Sequence, residues 1–214
     1  MNNKLSIPYF ILIIASLAFG CRGPVNEENK GNATANALSA GQKHHIDLTE
    51  SVVTWKGSNS FGSHTGYVSI SKGALTIDNG QLVGGSAEVD MNTIEDETHS
   101  SDSGLIKHLK DPDFFDVKKF PVATIVLTRA ASINGENKKV IGNLTIKGVT
   151  HPVAFPAKME FKDGIVTLTG TLVIDRTKWN VRYKSGKFFD LLADQTISDS
   201  IEFNVKIVAK KLNI

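Results

Sequence analysis

Apolar residues recur at every second position along most of this chain, and that period dictates how the backbone can fold. From Ile46 onward they run Val68 and Ile70; Leu75 and Ile77; Ala87, Val89 and Met91; Val153, Phe155, Ala157, Met159 and Phe161. The spacing continues through Val166, Leu168, Gly170, Leu172 and Ile174, and through Ile201, Phe203, Val205, Ile207 and Ala209. A strand turns successive side chains to opposite faces, so the pattern predicts half-buried β-strands with one apolar face each. Asn79-Gly80, Asn134-Gly135 and Asp163-Gly164 lie between such runs. These dipeptides tolerate the positive φ that two-residue hairpin turns require, so neighbouring strands are expected to be antiparallel.

About eight strand-like runs can be counted, with no alternating helices to act as parallel crossovers. Hairpins that join consecutive strands favour an up-and-down barrel over a sandwich, because closure removes exposed edges. The expected fold is all-β, an antiparallel eight-stranded barrel with one short helix, over residues 44–214. Such a barrel can be filled by its own side chains or can hold a ligand, and strand alternation looks the same in both cases.

The pattern breaks once, between Leu105 and Leu127. Leu105 and Leu109 sit four apart with Ile106 beside them, and Asp102 or Ser103 can cap the start, so one or two helical turns bury an apolar stripe. Pro112 ends the helix, Phe114-Phe115 and a charged bend at Asp116 to Lys119 follow, and Phe120-Pro121 opens the next strand. Two aromatic rings are thereby delivered to one end of the sheet, as a plug for the core or as a lining for a ligand.

The first twenty residues stand apart from this domain. Lys4 is their one charge, and Ile7 to Phe19 is an apolar run too short to span a bilayer, which is the pattern of a secretory signal peptide. Leu17-Ala18-Phe19-Gly20-Cys21 resembles a lipobox, so Cys21, the single cysteine, is expected to become a lipidated N-terminus. Several acyl chains at ~0.8 kcal/mol per buried methylene make a stable membrane anchor. Residues 21–43 contain almost no large apolar side chains and are expected to form a flexible tether. Beyond Lys4, 23 basic residues face 22 acidic ones, which predicts no nucleic-acid partner.

The search for chemistry nominates little. His44, His45, His64, His99, His108 and His151 form neither a His-x-His strand pair nor a His-Glu-x-x-His helix, so no metal site is expected; His44-His45 at the tether's edge is expected to be solvated. There is no Gly-x-Ser-x-Gly elbow and no glycine-rich phosphate loop after a strand, and catalysis is not expected. One constellation stands out in Asp175-Arg176-Thr177-Lys178-Trp179-Asn180-Val181-Arg182-Tyr183. Its guanidinium either pins loop carbonyls at a structural corner or holds a polar head group at a cavity mouth.

A series of short segments, in order, resembles the YceI-like family of bacterial periplasmic proteins. They are Val52-Val53-Thr54-Trp55-Lys56-Gly57, Gly84-Gly85-Ser86-Ala87-Glu88-Val89-Asp90-Met91 and His108-Leu109-Lys110. Asp113-Phe114-Phe115-Asp116-Val117, Phe120-Pro121-Val122-Ala123-Thr124, Gly142-Asn143-Leu144-Thr145-Ile146-Lys147-Gly148 and Asp175-Arg176-Thr177-Lys178-Trp179-Asn180 continue it. Two positions depart from the family's usual pattern: Ile106-Lys107 stands where many members have Arg-Asp, and Asn180 follows Trp179 where a glycine is common.

The resemblance implies a lipocalin-like barrel that binds an apolar long-chain lipid, of polyisoprenoid or isoprenoid-quinone type, with no other cofactor. On that reading Phe114, Phe115, Phe120, Ile125, Phe155, Trp179, Phe188 and Phe189 line the cavity and Arg176 lies near the head group. The alternative is a non-enzymatic envelope interaction or structural protein whose barrel is filled. Either version places the chain in the bacterial envelope, lipid-anchored at the periplasmic face of the outer membrane, with its oligomeric state open and a homodimer one option.

Overall fold

The computed structural model describes residues 41–190 and 192–211. The signal peptide, Cys21 and the tether as far as residue 40 lie outside the described residues. Among the described residues nine strands form one sheet: β1 (Gln42–Ile46), β2 (Val52–Asn59), β3 (Gly62–Asp78), β4 (Gln81–Asp96), β5 (Val122–Asn134), β6 (Asn137–Ile146), β7 (Val149–Lys162), β8 (Ile165–Asp175) and β9 (Ser200–Lys210). A short helix, α1 (Gly104–Lys110), lies between β4 and β5. All pairings are antiparallel, and the order β3-β2-β9-β8-β7-β6-β5-β4 closes on itself through β4 and β3. The ring therefore has eight places for nine strands.

The extra strand is accommodated end to end. β1 and β2 share one place between β3 and β9, since β1 pairs with the last part of β3 and with the end of β9, and β2 pairs with the remainder of both. Asp47 organises the break between them: its Oδ1 accepts from the Thr49 and Glu50 amides at 3.0 and 3.1 Å, and its Oδ2 accepts from Lys210 Nζ at 2.8 Å. The Lys210 hydrogen bond, with those from Thr49 and Glu50, holds the Asp47 carboxyl well below the usual carboxylate range.

The interior face switches parity where extra residues enter. On β3 the buried positions are Val68 and Ile70, then Leu75 and Ile77, with register shifts against β4 between Tyr67 and Ser69 and between Ile70 and Lys72. A bulge adds one residue to one strand, turning the following side chains to the opposite face and bending the wall. The inward set of β7, Val153, Phe155, Ala157 and Met159, runs without a break, but Phe161 is about half exposed. It has passed the rim of the barrel, where its ring meets His44 edge-on at 5.8 Å.

The two ends of the barrel differ. One end carries the Asn79-Gly80, Gly135-Glu136 and Asp163-Gly164 turns and the start of β1. Asn79-Gly80 and Asp163-Gly164 have positive φ at both residues, as those dipeptides lead one to expect; at the third hairpin Asn134 still belongs to β5, and the turn falls one residue later, with positive φ at Gly135. Its interior is packed by side chains such as Leu82, Val140, Met159 and Val166. His44 and Lys138 belong to the same buried layer, which corrects the expectation of a solvated His44. β1 begins at Gln42 and turns His44 inward opposite Leu75, where its Nδ1 donates to the Gln42 carbonyl at 3.2 Å. Lys138 ends on three neutral oxygens: Gln81 Oε1, Ser132 Oγ and the Gly135 carbonyl at 3.2, 2.8 and 3.1 Å.

The other end is rich in connections. The β2–β3 turn, the Lys147-Gly148 turn, the β4–β5 connection with α1, and the β8–β9 connection all gather there. Ser103 caps α1 by accepting from the Ile106 amide, Asp111 closes it ahead of Pro112, and Ile106 and Leu109 face inward. Ile106, one of the two departures from the family pattern, is fully buried. Asn180, the other, has φ 59° and ψ 21°. It occupies a left-handed position that glycine adopts without strain and asparagine tolerates, so the backbone at this corner is kept.

Candidate functional site

Between the packed end and the loop-rich end the barrel is hollow. A cavity of about 190 Å³ runs from mid-barrel to the underside of the loop-rich cap, far above the ~10–15 Å³ that one water needs. Apolar side chains from β2 to β9 form its walls, among them Trp55, Val68, Met91, Leu144, Leu168 and Phe203. The hollow exists because small residues occupy inward positions where large ones would meet: Gly57 on β2, Ala87 on β4 and Ala123 on β5 line it. A Cβ placed on Gly57 would meet no atom within 4 Å. An apolar void of this size gains nothing from filling with water, which finds too few polar partners there.

The cap is assembled from the two long connections. Leu109, Phe114 and Phe115 come from α1 and the loop behind it, and Arg176, Ile197 and Ser198 from the β8–β9 connection. Phe114 and Phe115 pack edge to face with centroids 5.0 Å apart, and the Arg176 guanidinium lies 5.5 Å from the Phe114 ring centre. Lys147, on the turn between β6 and β7, holds this loop from outside by donating to the Pro112 and Phe114 carbonyls, each at 2.8 Å. Burial of that ammonium pushes its pKa down, against the pull of Asp116 and Asp113.

Arg176 is 1% exposed. Its Nε donates to the Ser198 carbonyl at 2.8 Å, Nη1 to Val181 at 2.7 Å and Nη2 to Ile197 at 3.0 Å, with Asp199 Oδ1 3.7 Å away. Burial lowers its pKa, opposed by Asp199 and Asp175. Of the two roles open to this residue, pinning loop carbonyls is the one these bonds describe. Asp175 anchors the same corner: its Oδ1 accepts from the Thr177 amide and hydroxyl at 3.0 and 2.6 Å, and its Oδ2 from Lys187 at 2.7 Å. Burial works against its ionisation, but Lys187 and Thr177 outweigh that and hold the carboxyl at about 2.

The sequence-derived candidates divide into two groups. Phe114, Phe115, Ile125, Phe155 and Arg176 come together around the cavity. Phe120, Trp179, Phe188 and Phe189 are placed elsewhere, each for a local reason. Phe120 lies over the Lys147-Gly148 turn, so close that a Cβ on Gly148 would stand 2.8 Å from its Cε1. Trp179 is buried at the end of the β6–β7 wall, where its Nε1 donates to the Leu144 carbonyl at 3.0 Å and His151 meets it edge-on at 5.1 Å. Phe188 and Phe189 point outward from the β8–β9 connection and are about half exposed.

Sequence reasoning did not single out Trp55, Gly57 or Ile197 as lining residues. The first two were within reach, because Val53, Trp55 and Gly57 continue the alternation of β2; Ile197 sits in an irregular segment with no period to read. Among the described residues, Trp55 Nε1 is a buried donor without a hydrogen-bond partner. His108, Asp111 and Asp113 bring one ligand atom each within 4.8 Å of one another, but both carboxylates are exposed. Among the lining residues Arg176 is the one that carries a charge, and its donors are already engaged.

The comparisons with known proteins agree with this architecture. The model of the YceI-like domain family matches residues 44–209. A UPF0312 protein of Yersinia pestis (strain Pestoides F) is 37% identical over 87 residues, 41% of this chain and 44% of that protein. A UPF0312 protein of Enterobacter sp. (strain 638) is 36% identical over the same length. The chain thus spans under half the length of the curated relatives it matches. Among solved structures, Burkholderia cenocepacia BcnA superposes with a TM-score of 0.65 at 24% identity, covering 77% of this chain and 99% of that one. A polyisoprenoid binding domain from Saccharophagus degradans gives 0.61 at 14% identity, covering 80% and 99%. Likeness at these identities speaks for the fold.

Proposed function

The chain belongs to the YceI-like family, and from that premise we propose that its barrel binds, stores or carries an apolar long-chain lipid of polyisoprenoid or isoprenoid-quinone type. The observation that carries the reading is the cavity: an apolar void of about 190 Å³ with small side chains at its inward positions. A preformed apolar cavity suits a chain-like hydrocarbon, which needs few polar contacts to be oriented. The Saccharophagus degradans neighbour is a polyisoprenoid binding domain, which supports the same ligand class. Binding rather than catalysis is favoured because Arg176, the charged residue on the lining, is spent on loop carbonyls.

The reading extends to a location. Lipidation of Cys21 would hold the barrel at the envelope membrane, on its periplasmic face, and fractionation of a Cys21→Ser chain after a high-salt wash, which screens charge-dependent association, checks this: partition that stays entirely with membranes sinks the anchor. Binding itself is tested by organic extraction of the purified protein and mass spectrometry. A stoichiometric lipid is expected, and repeated empty extracts with no uptake of added isoprenoid would overturn the proposal.

A further inference from the structure

The β8–β9 connection has two faces with opposite characters. Its inner face lines the cavity through Ile197 and Ser198. Its outer face exposes Phe188, Phe189 and Leu192, the last at 70%. Backbone bonds keep these faces back to back: the Ile197 amide donates to the Lys184 carbonyl at 2.9 Å, the Phe188 and Phe189 amides to Ser185 at 3.0 and 3.1 Å, and the Gln195 amide to Leu192 at 2.9 Å. Ile197 also bridges to Asn59, and the Ser198 amide donates to the Ser58 carbonyl at 2.9 Å. That joins the patch to the β2–β3 turn, whose Phe61 is 81% exposed. Four large apolar side chains thus flank one seam at the mouth of the barrel.

Cations accompany them. Arg176, Lys178, Arg182, Lys184 and Lys187 fall within this connection, against Asp190, Asp194 and Asp199. Arg176 is buried and Lys187 pairs with Asp175 and Asp199, which leaves Lys178, Arg182 and Lys184 as the cations for a surface role. Arg182 lies 4.5 Å over the Phe188 ring and Lys184 5.6 Å over Tyr183. Among the described residues neither Lys178 nor Lys184 has an ion-pair partner within 4 Å. The other connection of the cap, α1 and the loop behind it, meets this one where the His108 and Tyr183 ring centres lie 4.5 Å apart, and is mixed in sign, with Asp111, Asp113 and Asp116 among Lys107, Lys110, Lys118 and Lys119. Aromatic rings beside unpaired cations match the headgroup region of an anionic bilayer, where the rings sit at the interface and the cations meet phosphate.

We propose that Arg182 to Asp190 with Leu192, and the Phe61 turn, dock the mouth of the barrel onto an anionic phospholipid surface. Transfer of cargo between bilayer and cavity through this face rests on the lipid-binding reading above; the docking does not. The covalent path allows it. Gln42 enters the barrel at the opposite, hairpin end, and the 21 residues from Cys21 to Gln42 (42 − 21) reach at most ~70–75 Å. The 11-residue β8 rises ~36 Å even without tilt. A chain anchored at Cys21 can therefore turn its mouth to the same membrane.

The test uses the full chain on vesicles of phosphatidylethanolamine and phosphatidylglycerol with brominated acyl chains. Phe189→Trp places an indole in the patch, and Ile133→Trp places one on the β5–β6 hairpin at the far end; both are read against the unsubstituted chain. Expected are a blue shift and loss of more than half the added emission for Phe189→Trp, with none for Ile133→Trp. Adding Arg182→Glu with Lys184→Glu should return the Phe189→Trp emission toward its vesicle-free value, a loss of docked protein of about thirtyfold or more. Equal quenching at both sites, no quenching at 189, quenching indifferent to the charge reversals, or a protein partner that covers the patch instead would overturn the docking. Quenching at 189 with empty lipid extracts would leave docking standing and remove the cargo reading alone.

Discussion

Gly57 offers the sharpest test of whether the hollow matters. Its position on β2 faces the cavity, and a Cβ there meets nothing within 4 Å, so Gly57→Leu should place four carbons into existing space without moving the backbone. Burying four carbons at ~0.8 kcal/mol each gives about 3 kcal/mol. Loss of glycine's freedom in the unfolded chain adds ~0.4–1 kcal/mol. Since the unfolded chain already buries part of its apolar surface, a net stabilisation of ~2–3 kcal/mol is expected for the lipid-free protein. At ~2–4 °C per kcal/mol for a domain of this size, its Tm should rise by about 5–10 °C. The same leucine obstructs the mouth side of the cavity, so uptake of an added isoprenoid should fall at least tenfold. Thermal melts of delipidated protein and a ligand titration measure the two effects together. A stabilised variant that binds as well as the parent would refute the cavity as the binding site; a destabilised variant would refute the open space at Gly57.

Three further outcomes follow from the corner and the walls. Arg176→Met leaves the carbonyls of Val181, Ser198 and Ile197 without their donors; at ~1–3 kcal/mol for the fully buried one and less for the other two, a loss of ~3–5 kcal/mol is expected, and a shift below about 2 °C in Tm would contradict it. The Asp175 carboxyl, held at about 2 against an ordinary 3.8, contributes stability that is complete above about pH 4 and disappears as pH falls through 2. With solvent screening it amounts to ~1–2 kcal/mol, and Asp175→Asn should flatten urea-melt stability over that window. Trp55 lines the cavity and Trp179 does not, so isoprenoid added to Trp179→Phe should still change the emission, whereas Trp55→Phe should be silent; the reverse pattern would relocate the ligand.

Much of this architecture is legible in the residues because alternation and turn chemistry are local. Asn79-Gly80 and Asp163-Gly164 announce their hairpins through φ alone, and Ser103, Leu109 and Pro112 delimit α1. What escaped lies where tertiary contacts decide. Strand counting gives eight runs, but nothing local shows that β1 and β2 share one place, since that depends on β3 and β9 being long enough to receive both. His44 and Lys138 are polar residues at inward positions, tolerated by partners far away in sequence. Aromatic rings were natural candidates for the lining, yet Phe120 and Trp179 are used to brace the Lys147-Gly148 turn and the β6–β7 wall. The emptiness itself comes from small residues such as Gly57 and Ala123, whose significance appears only when the opposing walls are in place.

The shared place of β1 and β2 also governs when the molecule can exist. Its seam joins His45 to Lys210 and Asp47 to the same lysine, so the first strand of the barrel finds its partner in the last. A chain emerging from the ribosome has no closed ring until β9 is complete, and pairings that distant form slowly because loop closure must come first. Until then the polypeptide remains open and threadable. Closure of the ring is thereby tied to the arrival of its last strand, whatever order the individual hairpins form in.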